Sequence, residues 1–184
     1  NLTDYDKTWE HDTESGNAYE GEGFMHSYSY IDGVGEVPHT NLLVSPAITI
    51  PKKMENMTLS FRAKASDYIW ESEEFTVLVG ISPDNLAEKQ TFITTGDYQR
   101  YTIDLTDYAD DTIYIAFRHN DKPAQSSLCL DNVELYATIN PVYKLTYYLN
   151  GEFYAQFEHT AGEKIEPLEA PSQEGYAFSG WQGL

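Results

Sequence analysis

The residues with most chemical promise lie in Trp9-Glu10-His11-Asp12-Thr13-Glu14-Ser15-Gly16-Asn17-Ala18-Tyr19. Asp12 and Glu14 alternate and are followed by Gly16, which permits a tight loop with several oxygens turned inward. Calcium takes about six to eight such oxygens at roughly 2.3–2.6 Å. The match to an EF-hand loop is poor, because the bidentate Glu at its twelfth position is absent and no helices flank it. A calcium site and a solvated acidic loop both remain open. Asp131-Asn132 interrupts the apolar run from Leu128 to Leu135. A carboxylate there is costly unless paired, hydrogen-bonded or bound to a metal. Asp131 is therefore either a metal ligand or a strand-end acid bonded to a loop.

Tyr68-Ile69-Trp70 sits in the polar stretch Ser-Asp-Tyr-Ile-Trp-Glu-Ser-Glu-Glu. Tyr68 and Trp70 there could stack on a sugar ring or anchor a protein contact, or fold back over the end of a core. Catalytic signals are weak. No Gly-x-Ser-x-Gly elbow occurs. The histidines at 11, 26, 39, 119 and 159 lack metal-ligand spacing, and His119, after Arg118, reads as a structural residue at a sheet corner. Cys129, the single cysteine, sits between Leu128 and Leu130 and reads as buried. The chain is therefore expected not to be an enzyme. A hydrolase would require paired carboxylates in a pocket or a Ser–His contact of hydrogen-bond length.

The elements that must position these residues are strands. Met57, Leu59, Phe61, Ala63 and Ala65 alternate with polar residues, as do Phe75, Val77, Val79 and Ile81, then Tyr101, Ile103 and Leu105. Ile113, Ile115 and Phe117 form another run, and Phe24–Ile31, Leu42–Ile50 and Leu128–Leu135 complete the set. Leu86–Gln90 suggests at most one helical turn. Turn signals at Asp32-Gly33, Ser82-Pro83-Asp84-Asn85, Gly96-Asp97 and Asn120-Asp121-Lys122-Pro123 separate the runs. Many short strands at this spacing predict an all-β sandwich or jelly roll. Pro141 should end the last sandwich strand, giving a first domain over 1–139 and a second over 140–184. In the second, Asn150-Gly151 between alternating runs predicts a type I′ hairpin.

With 30 acidic and 11 basic residues, the formal charge is −19. Such a surface repels phosphate backbones and anionic lipid, so nucleic-acid binding is not expected. No run approaches membrane-spanning length, so membrane insertion is not expected either.

His26 to Pro51, Asp110 to Asp121 and Leu128-Cys129-Leu130-Asp131-Asn132-Val133-Glu134-Leu135 together resemble the cleaved-adhesin or choice-of-anchor type jelly rolls of bacterial surface proteins. Tyr143 to Tyr148, Asn150-Gly151 and Glu174-Gly175-Tyr176-Ala177-Phe178-Ser179-Gly180-Trp181 resemble the Listeria–Bacteroides surface repeat, a small β-grasp-like module. The fold implied is a jelly-roll β-sandwich followed by an incomplete β-grasp-like repeat. The resemblance implies a secreted or cell-surface binding module of a Bacteroidetes-type bacterium, recognising host protein or glycan beside neighbouring domains of a longer chain. The alternative is a structural spacer displaying a neighbouring domain, such as a peptidase. It also implies metal ligation by Asp131, with Asp12 and Glu14 in places comparable to the family's acidic loop. Calcium is the candidate cofactor, and Tyr68 and Trp70 are the candidate ligand contacts.

Overall fold

The computed structural model describes residues 9–13, 17–31, 33, 35–36, 42–51, 54–66, 72–120 and 127–183. The chain divides into two compact units, Asn1–Ile139 and Asn140–Leu184.

The first unit is an all-β sandwich. Its strands are β1 (Trp9–Asp12), β2 (Phe24–Tyr28), β3 (Tyr30–Ile31), β4 (Gly35–Glu36), β5 (Leu42–Val44), β6 (Ile48–Thr49), β7 (Met54–Ala65), β8 (Glu74–Ser82), β9 (Asn85–Ile93), β10 (Gln99–Asp104), β11 (Thr112–His119) and β12 (Ser127–Ile139). One sheet runs β1-β2-β12-β7-β10 and the other β5-β11-β8-β9. Every pairing among the described residues is antiparallel, so each strand can bury one face and wet the other. On β7, Met57, Leu59, Phe61, Ala63 and Ala65 are buried, as the alternation predicts. They meet Phe75, Val77 and Val79 of β8 and Ile113, Ile115 and Phe117 of β11 across the sandwich. Phe61 is the hub, with ring centroids of Phe117, Tyr101, Phe92 and Phe75 at 5.1–5.8 Å.

Two expectations about strands change. Leu86–Gln90 is not a helical turn but the middle of β9, a full partner of β8. Its exposed Ala-Glu-Lys-Gln stretch carries little alternation, and backbone pairing to a buried neighbour decides the conformation. Ile81 is exposed rather than core, because the β8–β9 register shifts between Val79 and Ser82. Gly80 permits the shift, since a Cβ there would run into the Asn85 carbonyl oxygen.

β5 and β6 both pair with β11 but are separated by Ser45-Pro46. Pro46 has no N–H to donate. Ser45 keeps the edge attached: its N–H donates to the Ile115 carbonyl at 2.8 Å, and its Oγ accepts from the Ile115 N–H at 3.0 Å.

The second unit is built on a hairpin, β13 (Val142–Leu149) and β14 (Glu152–Thr160). The turn is Asn150-Gly151, both with positive φ (55° and 86°), as a type I′ turn demands. The segment after β14 returns to the hairpin through Trp181. Its Nε1 donates to the Leu168 carbonyl at 2.9 Å and its ring packs against Tyr147, Phe178 and Tyr154.

Candidate functional site

Asp131 lies where β12 departs from regular alternation. Asn132 adopts φ 49°, and the β12–β7 register shifts between Asp131 and Glu134. This bulge aims the carboxylate at the loop between β1 and β2. Oδ2 accepts the Tyr19 N–H at 2.7 Å and the Glu20 N–H at 3.2 Å, while Oδ1 accepts the Asn132 N–H at 2.7 Å. Asn132 adds a side-chain bond to Glu20 at 2.8 Å. Main-chain donors thus meet this carboxylate where it interrupts the apolar run.

Asp12, at the end of β1, faces His26 of β2, with Oδ2 3.7 Å from Nδ1. Glu10 lies 3.5 Å from the other ring nitrogen. Neither Asp12 nor Asp131 joins a group of three His, Cys, Asp or Glu side chains able to hold a metal ion among the described residues. Glu14, Tyr68 and Trp70 lie outside the described residues.

The loop held by Asp131 covers part of the solvent side of the first sheet. Alternation that buries Phe61 and Ala63 turns Arg62 and Lys64 outward. The Arg62 guanidinium lies 4.4 Å from the Tyr19 ring centroid, and the Lys64 ammonium 5.0 Å from that of Tyr98. Tyr98 donates its hydroxyl to the Asn17 carbonyl at 3.0 Å. Burial pushes the Tyr98 phenol well above its ordinary value, with the Cys129 and Asp131 charges adding to the rise. Arg100, opposite Arg62 on β10, donates to Ser60 at 2.9 Å and to the Tyr136 hydroxyl at 3.0 Å. Two of the chain's three arginines therefore stand on this face beside the exposed rings of Tyr19 and Tyr136. An otherwise acidic molecule carries here a patch of planar donors and aromatic surface, the residue types enriched at binding hot spots.

A second constellation bears on catalysis. His119, at the end of β11, has Nδ1 3.1 Å from Ser27 Oγ of β2 and Nε2 3.0 Å from Glu73 Oε2. Glu73 also accepts Ser29 Oγ at 3.1 Å and is held by Thr94 through both main-chain groups. These are the partners of a Ser–His–acid relay. Their burial assigns a different role: His119 and Glu73 are wholly buried and Ser27 is 3% exposed. A nucleophile must reach its substrate, and none of the three lines either the groove of about 780 Å³ in the second unit or that of about 390 Å³ in the first. The cluster instead ties β2 in one sheet to β11 and the start of β8 in the other. Cys129 is buried, and burial pushes its thiol up to about 11. The first unit's apolar groove, of about 390 Å³, is lined by Leu43 and Ile48 on one side and Val133 and Leu135 on the other.

The first unit is a two-sheet antiparallel sandwich with a buried polar pin between the sheets and an arginine–tyrosine outer face. The family model of the Cleaved Adhesin Domain matches residues 3–90 and 80–135, and the chain belongs to that family. Hemagglutinin A of Porphyromonas gingivalis is 29% identical over an alignment of 138 positions, and the match covers 61% of this chain and 5% of that protein. The chain thus spans about 5% of the length of this curated relative. The K1 cleaved adhesin domain of Lys-gingipain from the same organism superposes with a TM-score of 0.61 at 26% identity, covering 74% of this chain and 88% of that one. The K3 domain shares the fold, with a TM-score of 0.54 at 22% identity over 69% of this chain and 88% of that one.

Proposed function

We propose that the first unit is a non-catalytic adhesion module of a secreted or surface-exposed bacterial protein, recognising a host protein or glycan. Membership of the cleaved adhesin family carries this reading. The arginine–tyrosine face of the first sheet is the surface best suited to the contact, and the Tyr68–Trp70 loop is a second contact region. Residues 140–184 are read as part of a Listeria–Bacteroides surface repeat, a reading supported by the hairpin and by the packing of Trp181 from the Gly-Trp motif. A calcium ion at the acidic loop would draw on Asp12, Glu14 and main-chain oxygens.

The test is binding of the full chain to matrix-protein and glycan arrays in calcium-containing buffer. Tyr19→Ala with Tyr136→Ala should weaken the strongest hit about tenfold or more, and Trp70→Ala should weaken it if that loop contributes. An array without a hit, or a hit indifferent to all three changes, would count against the reading. The spacer alternative is favoured by one fact, the small share of a far longer relative that the chain spans. It predicts that deletion alters only display of the neighbouring domain.

A further inference from the structure

We propose that the second unit carries a separate binding site for neutral carbohydrate, in the groove between the hairpin tip and residues 171–183. The groove has a volume of about 780 Å³, within the range of small-ligand sites. The inference goes beyond the adhesion reading, which rests on the first unit.

Three observations define the ligand. The first is charge. The chain has 41 charged Asp, Glu, Lys and Arg residues (30 acidic, 11 basic), and the second unit alone holds six glutamates and two lysines. None of these lines the groove. A phosphate, sulfate or uronate would find no cation there, and a basic peptide no acid. The second is aromatic surface at two levels. Trp181 forms the floor, fixed by its bond to Leu168 and by ring contacts to Tyr147 at 4.7 Å and Phe178 at 5.1 Å. Tyr148 and Tyr176 stand at the rim, 60% and 74% exposed. Tyr176 follows a turn in which its N–H donates to the Gln173 carbonyl at 3.2 Å and Gly175 takes φ 81°. Two largely exposed rings lining one groove beside Trp181 offer a stacking surface. The third is uncharged hydrogen-bonding capacity. Asn150, Gln173 and Gln182 bring side-chain amides to the same groove. A pyranose has an apolar C–H face that lies on an aromatic ring and equatorial hydroxyls that both donate and accept. Side-chain amides answer both roles without a charge.

The experiment uses the full chain and isothermal titration with neutral hexasaccharides of β-1,4-glucose, β-1,4-xylose, β-1,4-galactose and α-mannose. A heparin-derived hexasaccharide, an oligogalacturonate and a Tyr/Pro-rich peptide serve as competing classes. At least one neutral probe should bind. Tyr176→Ala and Tyr148→Ala should each weaken it tenfold or more, while Phe153→Ala and Tyr143→Ala, exposed rings of the same hairpin outside the groove, should leave it within about twofold. All four positions are exposed, so far-UV circular dichroism should be unchanged. The proposal is overturned if no neutral probe binds at millimolar concentration, if the charged glycans or the peptide occupy the groove instead, or if binding survives both rim variants. Binding of a neutral probe that is lost in the Tyr19/Tyr136 double variant but kept in the rim variants would refute this site and leave the adhesion reading standing.

Discussion

Replacing His119 by Ala tests whether the Ser27–His119–Glu73 cluster is a structural pin. The imidazole supplies Glu73 Oε2 with its 3.0 Å partner, and Glu73 has no exposed surface. After the change, Glu73 keeps Ser29 on its other oxygen, while Oε2 loses its imidazole partner. Removing one member of such a buried pair costs about 3–5 kcal/mol, and a cavity the size of the ring adds to this. Against a domain stability of about 5–15 kcal/mol, the loss should lower the unfolding midpoint by on the order of 10 °C. Glu73→Leu together with His119→Leu removes both polar partners and should recover most of the loss, because no polar group of the pair is then left stranded. Chemical denaturation of the wild type, Glu73→Leu, His119→Leu and the double variant gives the coupling energy directly. A cost below about 1 kcal/mol for His119→Ala, or a double variant no more stable than either single, would refute the pin. Hydrolysis of an activated ester that depends on Ser27 would refute it from the other side.

Asp131→Ala should destabilise the first unit by roughly 2 kcal/mol, since three main-chain N–H groups lose a charged acceptor. The loss in denaturation melts should be the same in calcium and in chelator; a calcium-dependent loss would make Asp131 a metal ligand. Cys129, its thiol raised to about 11 by burial, should react with a thiol reagent at pH 8 only through unfolding. With about one thiol in a thousand ionised, labelling should be orders of magnitude slower than in denaturant, and equal rates would contradict the burial. Asp104 accepts the Thr106 hydroxyl at 2.6 Å and N–H at 2.8 Å, which hold its carboxyl below the ordinary range. A lowered folded value means the contribution to stability is present above the unfolded value and is lost as pH falls through the folded one. Carbon-detected titration should place Asp104 below 3.8 and move it back up in Thr106→Val.

Much of the first unit was legible in the sequence because burial on one face of an antiparallel strand writes itself as alternation. Met57 to Ala65 and Ile113 to Phe117 are clear examples. β9 was not, because its outward face and exposed edge are filled with Glu88, Lys89 and Gln90, and its strand character comes from pairing with β8. The order of strands in the sheets was equally hidden, since β2 meets β12 and β12 meets β7 over long separations. The same holds for the pin. His119 read as structural, but Ser27 lies 92 residues away and Glu73 46, so no local spacing joins them. Glu73, within a run of acidic residues, had no feature separating it from its solvated neighbours.

Asp131 marks how far local sequence reasoning reaches. The break in alternation at Asp131-Asn132 correctly flags a departure from regular strand, realised as a bulge with Asn132 in the left-handed region. Sequence alone left two partners for the carboxylate, a cation or backbone N–H groups. Deciding between them requires the path of a loop more than a hundred residues earlier. Once Tyr19 and Glu20 donate to Asp131, the anchored loop holds the Tyr19 ring over Arg62 and beside Tyr98, 5.6 Å between centroids. Asp131 thereby sets the shape of the outer face on which the adhesion reading depends. A substitution there should reduce ligand binding together with stability, whereas Tyr136→Ala should reduce binding with little change in the melt. That difference separates the residue that positions the face from one that would touch the ligand.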